Sequence, residues 1–347
     1  MNEKSEYWFE NLLDELLENA YKDFKGTEEE FINKLSKLDF FADAQEIIEE
    51  KGLKYLSKAI IKLRKKELKY ENEIDSIYSE GLILFEIFIK LSSFYGSHII
   101  ELLKKKEISN LRIVIYNKLF SKGCQIAYEI LKLLRTGYPD GAHARWRALH
   151  ELCVMLLFLD KGNDELIDKY CDYQVVEKLK RAYEFQKHYH KINWRPIEND
   201  VLEHLQTQKD ALIEKYGKDF SKNYGWAYSI INSCDFRKIE EYVELDYMRA
   251  FYSWASDNIH PGMSGLVDRI GDIELEISSN YFAGKSKYGL ADPAQFTAYS
   301  LYFMLDCIAQ SIEGIGNELI LTTIGNIQKQ LSQKLIIAQN NMKNNSN

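Results

Sequence analysis

Proline is scarce in this chain, 4 of 347 residues, and glycine is modest at 18. A β-sandwich needs frequent turns, so this scarcity favours long helices. Cysteine is sparse as well: Cys124, Cys153, Cys171, Cys234 and Cys307 are odd in number, scattered and never spaced as Cys-x-x-Cys. That pattern argues against a disulfide framework or a cysteine zinc site, and it suits reduced, mostly buried thiols in a cytoplasmic protein. The longest apolar run, "LCVMLLFL", is far short of the roughly 20 residues a membrane helix requires, so no membrane span is expected. The opening "MNEKSEYWFENLLDELLENA" is acidic and amphipathic and lacks the basic start and apolar stretch of a secretory signal. An excess of positive charge is missing too. Lys and Arg number 45 against 53 Asp and Glu, a net charge of -8, and the molecule as a whole repels phosphate backbones. No Gly-x-x-x-x-Gly-Lys or Gly-x-Gly-x-x-Gly segment occurs, so neither ATP nor NAD chemistry, and no cofactor, is expected.

What is present is material for a core. With 46% hydrophobic and 13% aromatic residues, a chain of this length buries roughly three quarters of its unfolded surface. Helical periodicity predicts a helix over about Glu6 to Phe24, then a capping box in "GTEEEF", with Thr27 as N-cap and Glu30 as its partner. The pattern stays helical from Ala42 to about Lys106, with breaks expected near Gly52 and Asn72, and "SEGLILFEIFIKLSSFYGSHIIELLKKK" is apolar on most sides. "KGLKYLSKAIIKLRKKELK", from Lys51 to Lys69, is either a local patch for phosphate or a solvated amphipathic face. Further helices are expected over Ser109 to Arg135, after the turn "TGYPDGAH", over Asp164 to Asn193, over Val201 to Tyr216, and through "DFRKIEEYVELDYMRAFYSWASDNIHPG". Asp292 and Pro293 open another, and the Asn-rich tail should fray. The expected fold is an all-α multi-helix bundle with at most one short hairpin or ordered loop, near 272–290. Residues 1–90 read as a helical extension, 91–335 as the main helical domain and 336–347 as the tail.

The chemistry-bearing residues concentrate in two places. In "RWRALHELCVMLLFLD", two arginines, a histidine and a glutamate precede an apolar run; Arg147 and Glu151 are four apart and share a helix face. In "YSWASDNIHPG", Ser256 and His260 have the same spacing among aromatic neighbours. Burying one charge of such a pair without its partner costs roughly 3–5 kcal/mol, so Arg147 and Glu151 should be paired if they face inward. Two helices carrying matched polar pairs could form one network, either a device that fixes helix register or a ligand or catalytic site. "EFQKHYH" offers Glu184, His188 and His190, but in a helix the two histidines point about 160° apart, so no metal site is expected. Ser256 lacks the glycines of a nucleophile elbow.

The segment with "RALHELCVMLLFL" resembles the first motif of the bacterial family called domain of unknown function 5677. "YSWASDNIHPG" looks like that family's second motif, which carries over to Tyr252, Ser256 and His260, and "YGWAYSII" places Trp226 at a recurrent tryptophan. The resemblance covers roughly Leu91 to Gln330 and implies a helical fold with no settled activity. The spacing of Arg145 and His150 is also similar to the arginine-then-histidine site of the HEPN (higher eukaryotes and prokaryotes nucleotide-binding) ribonucleases. That family's pattern is an arginine, four to six residues, then a histidine, and Arg181 with His188 fits it as well. Helix geometry makes Arg145 and His150 diverge, so that site would need His260 or a dimer partner to complete it.

Two functions stay open on the sequence. One is a metal-independent RNA-cleaving or nucleotide-responsive effector of a bacterial defence or toxin module, with Arg147, His260, Glu151 and Ser256, and also Arg145, His150 and Tyr252, in its site. The other is a non-enzymatic binding or assembly protein in which the same cluster is structural. RNA or a nucleotide, a protein partner and a second copy of the chain are the partners to be considered.

Overall fold

The computed structural model describes residues 38–260, 262–267 and 284–345, together with positions 14, 18, 21–22, 25–27 and 29–31. The expected helix over Glu6 to Phe24 lies mostly outside these residues, and so does the part of the expected hairpin from 272 to 283. The chain divides into two compact units, Met1–Glu73 and Ile74–Asn347.

In the first unit, the Thr27 N–H donates to Glu30 Oε2 at 2.9 Å and the Glu30 N–H to Thr27 Oγ1 at 3.4 Å, a reciprocal capping box. Helix α1 (Leu38–Ile77) runs through Gly52 and Asn72 without the expected breaks. One interior glycine costs a helix only about 1 kcal/mol, which a 40-residue helix absorbs. Its described side chains between 57 and 69 are all exposed, basic and apolar alike.

The second unit is built from α2 (Ser79–Leu103), α3 (Asn110–Arg135), α4 (Pro139–Asp160), α5 (Asp164–Asp172), α6 (Gln174–His188), α7 (Asn199–Tyr216), the short α8 (Tyr228–Ile231), α9 (Phe236–Tyr242), α10 (Arg249–Asp257), α11 (Met263–Val267), α12 (Ala291–Ala309) and α13 (Ile315–Asn345). No strand occurs among the described residues. The fold is all-α. Helix α2 packs on α3, α12 and α13, burying Leu82, Phe85, Phe88 and Ile89, while Ile83, Ile87, Leu91 and Phe94 face outward. By length and composition alone α2 is apolar enough to cross a membrane, and 39% of its most apolar window is buried in the structure.

Helix α4 is the keystone, packed against α3, α12 and α10. Gly137, at φ +81°, ends the preceding helix in a conformation that favours glycine, and Pro139 sits in the first turn of α4, where its missing N–H costs nothing. At the other end Arg112 acts as a clamp. Its Nε donates to Asp164 Oδ1 at 2.8 Å, and its Nη atoms donate to the carbonyls of Leu159 and Gly162, each at 3.0 Å. A cation on the last carbonyls also suits the negative end of the helix dipole. On the inner face, the fully buried Trp146 donates its indole N–H to Ser300 Oγ of α12 at 3.1 Å.

Several elements are shorter than their periodicity suggests. The expected helix from Asp164 to Asn193 is two helices meeting at Tyr173, followed by a 3₁₀ turn, Tyr189–Ile192. The stretch from Phe236 to His260 is broken at Glu244, whose φ is +62°. Helix α12 starts at Ala291, so Pro293 occupies its third position. The Asn-rich end stays helical to Asn345.

Candidate functional site

Helix α10 lies against α4, and this contact brings His260 and Tyr252 to the Arg147–Glu151 pair, while the Ser256 hydroxyl stays bonded within its own helix. Arg147 Nη1 is 3.4 Å from His260 Nε2. Arg147 Nε is 3.3 Å from Glu151 Oε1, an ion pair between helix neighbours whose alignment leaves that buried N–H without a true hydrogen bond. The Tyr252 hydroxyl donates to the same Glu151 oxygen at 2.5 Å, and its ring centroid is 4.8 Å from the Arg147 guanidinium carbon. Arg249 approaches that ring as closely, at 4.9 Å. Ser256 donates its hydroxyl to the Tyr252 carbonyl at 2.8 Å. His260 lies beyond the end of α10 and keeps one further turn by donating its backbone N–H to the Ser256 carbonyl at 3.0 Å. Its side chain is exposed.

The electrostatics fix the protonation of two members. Burial, and then the hydrogen bond to Glu151, push the Tyr252 phenol well above its ordinary range, so it remains a neutral donor. Burial works against the charge of Arg147, but Tyr252 and Glu151 outweigh it and hold the guanidinium cationic. The result is a positioned cation beside an exposed imidazole, with a carboxylate and a phenol holding the cation in place.

Arg145 and His150 have separate partners. Arg145 pairs with Glu129 of α3. His150 is buried, with Nε2 2.9 Å from Oε1 of the fully buried Glu240 on α9; Arg249 Nη1 donates to the other oxygen, Oε2, at 2.6 Å. This chain of His150, Glu240 and Arg249 ties α4, α9 and α10 together, and sequence reading missed its last two members. A signal was available: Phe236, Ile239 and Val243 make an apolar stripe at helical spacing, and Glu240 stands on it. His143, one turn before Arg147, is also fully buried; it stacks on Trp146 with ring centroids 5.6 Å apart, and neither nitrogen makes a well-formed hydrogen bond. Burial lowers its pKa to about 4.

Beside the polar cluster lies an open cavity of about 600 Å³ that shares Glu151 with it. Trp226, which forms part of its wall, is buried with its ring edge-on to Phe158 and Tyr170, at 5.5 and 4.9 Å. Among the described residues, no group of three or more His, Cys, Asp or Glu is placed to share a metal ion.

Residues 113–276 match the family described as "Family of unknown function (DUF5677)". The match covers a little under half of the chain and supports a likeness to that family. The match is shorter at both ends than the resemblance over Leu91 to Gln330, yet the matched segment carries every member of the polar cluster and the cavity wall. Helix α12, which supplies Ser300 to Trp146, lies beyond it. No curated protein and no solved structure matches the chain.

Proposed function

We propose that the protein is a metal-independent RNA-cleaving or nucleotide-responsive effector, acting in the cytoplasm as part of a bacterial defence or toxin module, with Arg147 and His260 as its working groups. The observation that supports this most is the 3.4 Å approach of the Arg147 guanidinium to the exposed His260 ring. A guanidinium binds a phosphodiester and stabilises the charge that builds on its oxygens. An imidazole next to it takes the proton of a ribose 2′-hydroxyl as that oxygen attacks phosphorus. The P–O bond to the 5′-oxygen then breaks; that oxygen takes a proton from water, and the imidazolium returns its proton to the hydroxide so formed. The products are a 2′,3′-cyclic phosphate and a free 5′-hydroxyl. Glu151 and Tyr252 act as positioning residues for Arg147. The net charge of -8 suits a short RNA segment better than a long duplex. A protein partner or a second copy of the chain fits a module that answers to a trigger.

A second reading is a non-enzymatic binding or assembly protein, favoured by Glu151, which already gives Arg147 a counter-charge at 3.3 Å. The two separate on His260→Ala. His260 is exposed, so the variant should melt near the temperature of the unmutated protein. In the catalytic reading it loses RNA cleavage, and Arg147→Ala behaves alike. Cleavage and melting are to be measured together on purified dimer and monomer fractions. If the unmutated protein leaves total cellular RNA intact with its natural partners and trigger present, the ribonuclease reading fails.

A further inference from the structure

The cavity of about 600 Å³ has an unusual wall for an acidic protein surface. Its volume falls in the range of small-ligand sites. Three tyrosines, Tyr170, Tyr173 and Tyr224, and Trp226 supply ring surface, Glu151 and Glu177 supply carboxylates, and Lys122 and the Glu129-paired Arg145 are the lining cations among the described residues.

Two features mark this wall as built for a ligand. Tyr224 holds the left-handed conformation, φ +53° and ψ 24°, which costs a bulky side chain on the order of 1 kcal/mol or more. Gly225 follows it where any side chain would run into the backbone carbonyls of Asp219 and Phe220, so the loop is fixed tightly behind the tyrosine. The second feature is Glu177. Among the described residues its carboxylate is in no ion pair or side-chain hydrogen bond, although Glu151 on the same wall is engaged by Arg147 and Tyr252. Burial first, then the negative charge of Glu177, raise Tyr170 and lift Tyr173 to about 12, so the phenols are neutral and the carboxylate stands among them as an acceptor awaiting donors.

We infer that this cavity binds the guanine base of a nucleotide, with the ring against the tyrosines, Glu177 accepting hydrogen bonds from the base edge, and the phosphate toward Lys122 and Arg145. Guanine presents N1–H and the exocyclic amino group side by side, and a carboxylate accepts both at once. Adenine places its ring acceptor N1 beside its amino group, cytosine does the same with N3, and uracil flanks one N–H with two carbonyls. Each of these sets an acceptor against the carboxylate. Stacking on an aromatic side chain alone does not distinguish bases, so the selectivity falls to Glu177. The rim leads onward to more positive ground: Lys180 Nζ lies 3.5 Å from Asn223 Oδ1 on the cavity edge, and Lys180, Lys187 and Lys209 line a second cavity of about 560 Å³. Neighbouring phosphates of an RNA strand would have three lysines to follow.

This inference names the substrate class for the function proposed above and rests on that reading for the reaction but not for the binding. The test is calorimetric titration of the full chain with the 5′-monophosphates of guanosine, adenosine, cytidine and uridine. The expected result is binding of the guanine nucleotide at least about tenfold tighter than the others, the discrimination one bidentate pair supplies. Glu177→Gln, at an exposed and unpartnered side chain, should fold normally and reduce guanine binding about tenfold or more. His260→Ala should leave binding unchanged. No guanine nucleotide binding at millimolar concentration, equal affinity for all four, or an unaltered affinity in Glu177→Gln would each overturn it. Guanine binding without RNA cleavage leaves the inference standing and removes the catalytic reading; RNA cleavage without guanine binding does the reverse.

Discussion

Replacing Glu240 by alanine removes the carboxylate that joins three helices, and the structure indicates where the cost should fall. Glu240 has no exposed surface and accepts from two partners, His150 at 2.9 Å and Arg249 at 2.6 Å. Breaking a buried charged pair by deleting one member costs roughly 3–5 kcal/mol, because the survivor is left without a partner. The two survivors differ. The Arg249 side chain is 39% exposed and can turn to water, whereas His150 is 1% exposed and cannot. The loss therefore belongs at the lower end, about 3 kcal/mol. Glu240→Gln keeps the shape and an acceptor for Arg249, and its amide can meet His150 once the imidazole proton moves to Nδ1. Exchanging a charged for a neutral hydrogen bond costs about 1–2 kcal/mol. Urea unfolding followed by tryptophan fluorescence is a suitable assay, since the Trp146 ring lies 5.3 Å from that of His150. The expected order of stability is unmutated, then Gln, then Ala. An alanine variant within about 1 kcal/mol of the unmutated protein, the range of an ordinary surface change, would refute the view that this carboxylate ties the helices.

Two further outcomes follow from buried positions. Gly225→Ala forces a methyl group against the carbonyls of Asp219 and Phe220, and since backbone must move, a loss of roughly 1–3 kcal/mol is expected in thermal melting; an unchanged melting temperature would contradict the close approach. His143 titrates near pH 4 in the folded protein, below its ordinary value of 6.5, so the unfolded chain takes up its proton first as pH falls. Its contribution is complete above about pH 6.5 and declines on the way to pH 4, a loss on the order of 3 kcal/mol. His143→Phe keeps the ring stack and should flatten that part of the pH profile, measured as urea midpoints between pH 7 and pH 4. An identical decline in the variant would assign the acid sensitivity elsewhere.

The helical class is legible because it depends on local patterns that sum along the chain. Pro139 and the Gly137 before it mark the start of α4, and the Thr27 capping box is visible in four residues. Spacing alone puts Arg147 and Glu151 on one face, and Ser256 and His260 four apart. Which faces meet is decided by tertiary packing, so the partnership of His150 with Glu240, 90 residues away, has no local signature beyond one glutamate on an apolar stripe. Breaks in helices were the least legible part. Gly52 invites one and gets none, because propensity is a weak force in a long helix; Glu244 shows no sign of one, yet it adopts a positive φ and divides α9 from α10. Arg145 and His150 illustrate the same limit from the other side, since their spacing suits a site while their partners, Glu129 and Glu240, lie on different helices.

The hydrogen bond from Trp146 to Ser300 has a consequence for where this chain can be cut. The family segment ends at 276, yet the indole at the centre of α4 is covered by α12, which begins at Ala291. A fragment trimmed to the matched residues would present Trp146 and the buried His143 to water along the side where Phe296 now lies, with ring centroids 5.0 and 5.9 Å away. The boundary drawn by sequence likeness is thus not a boundary of folding. For this chain, the matched segment therefore needs α12, or a replacement cover of the same apolar kind, to keep Trp146 out of water.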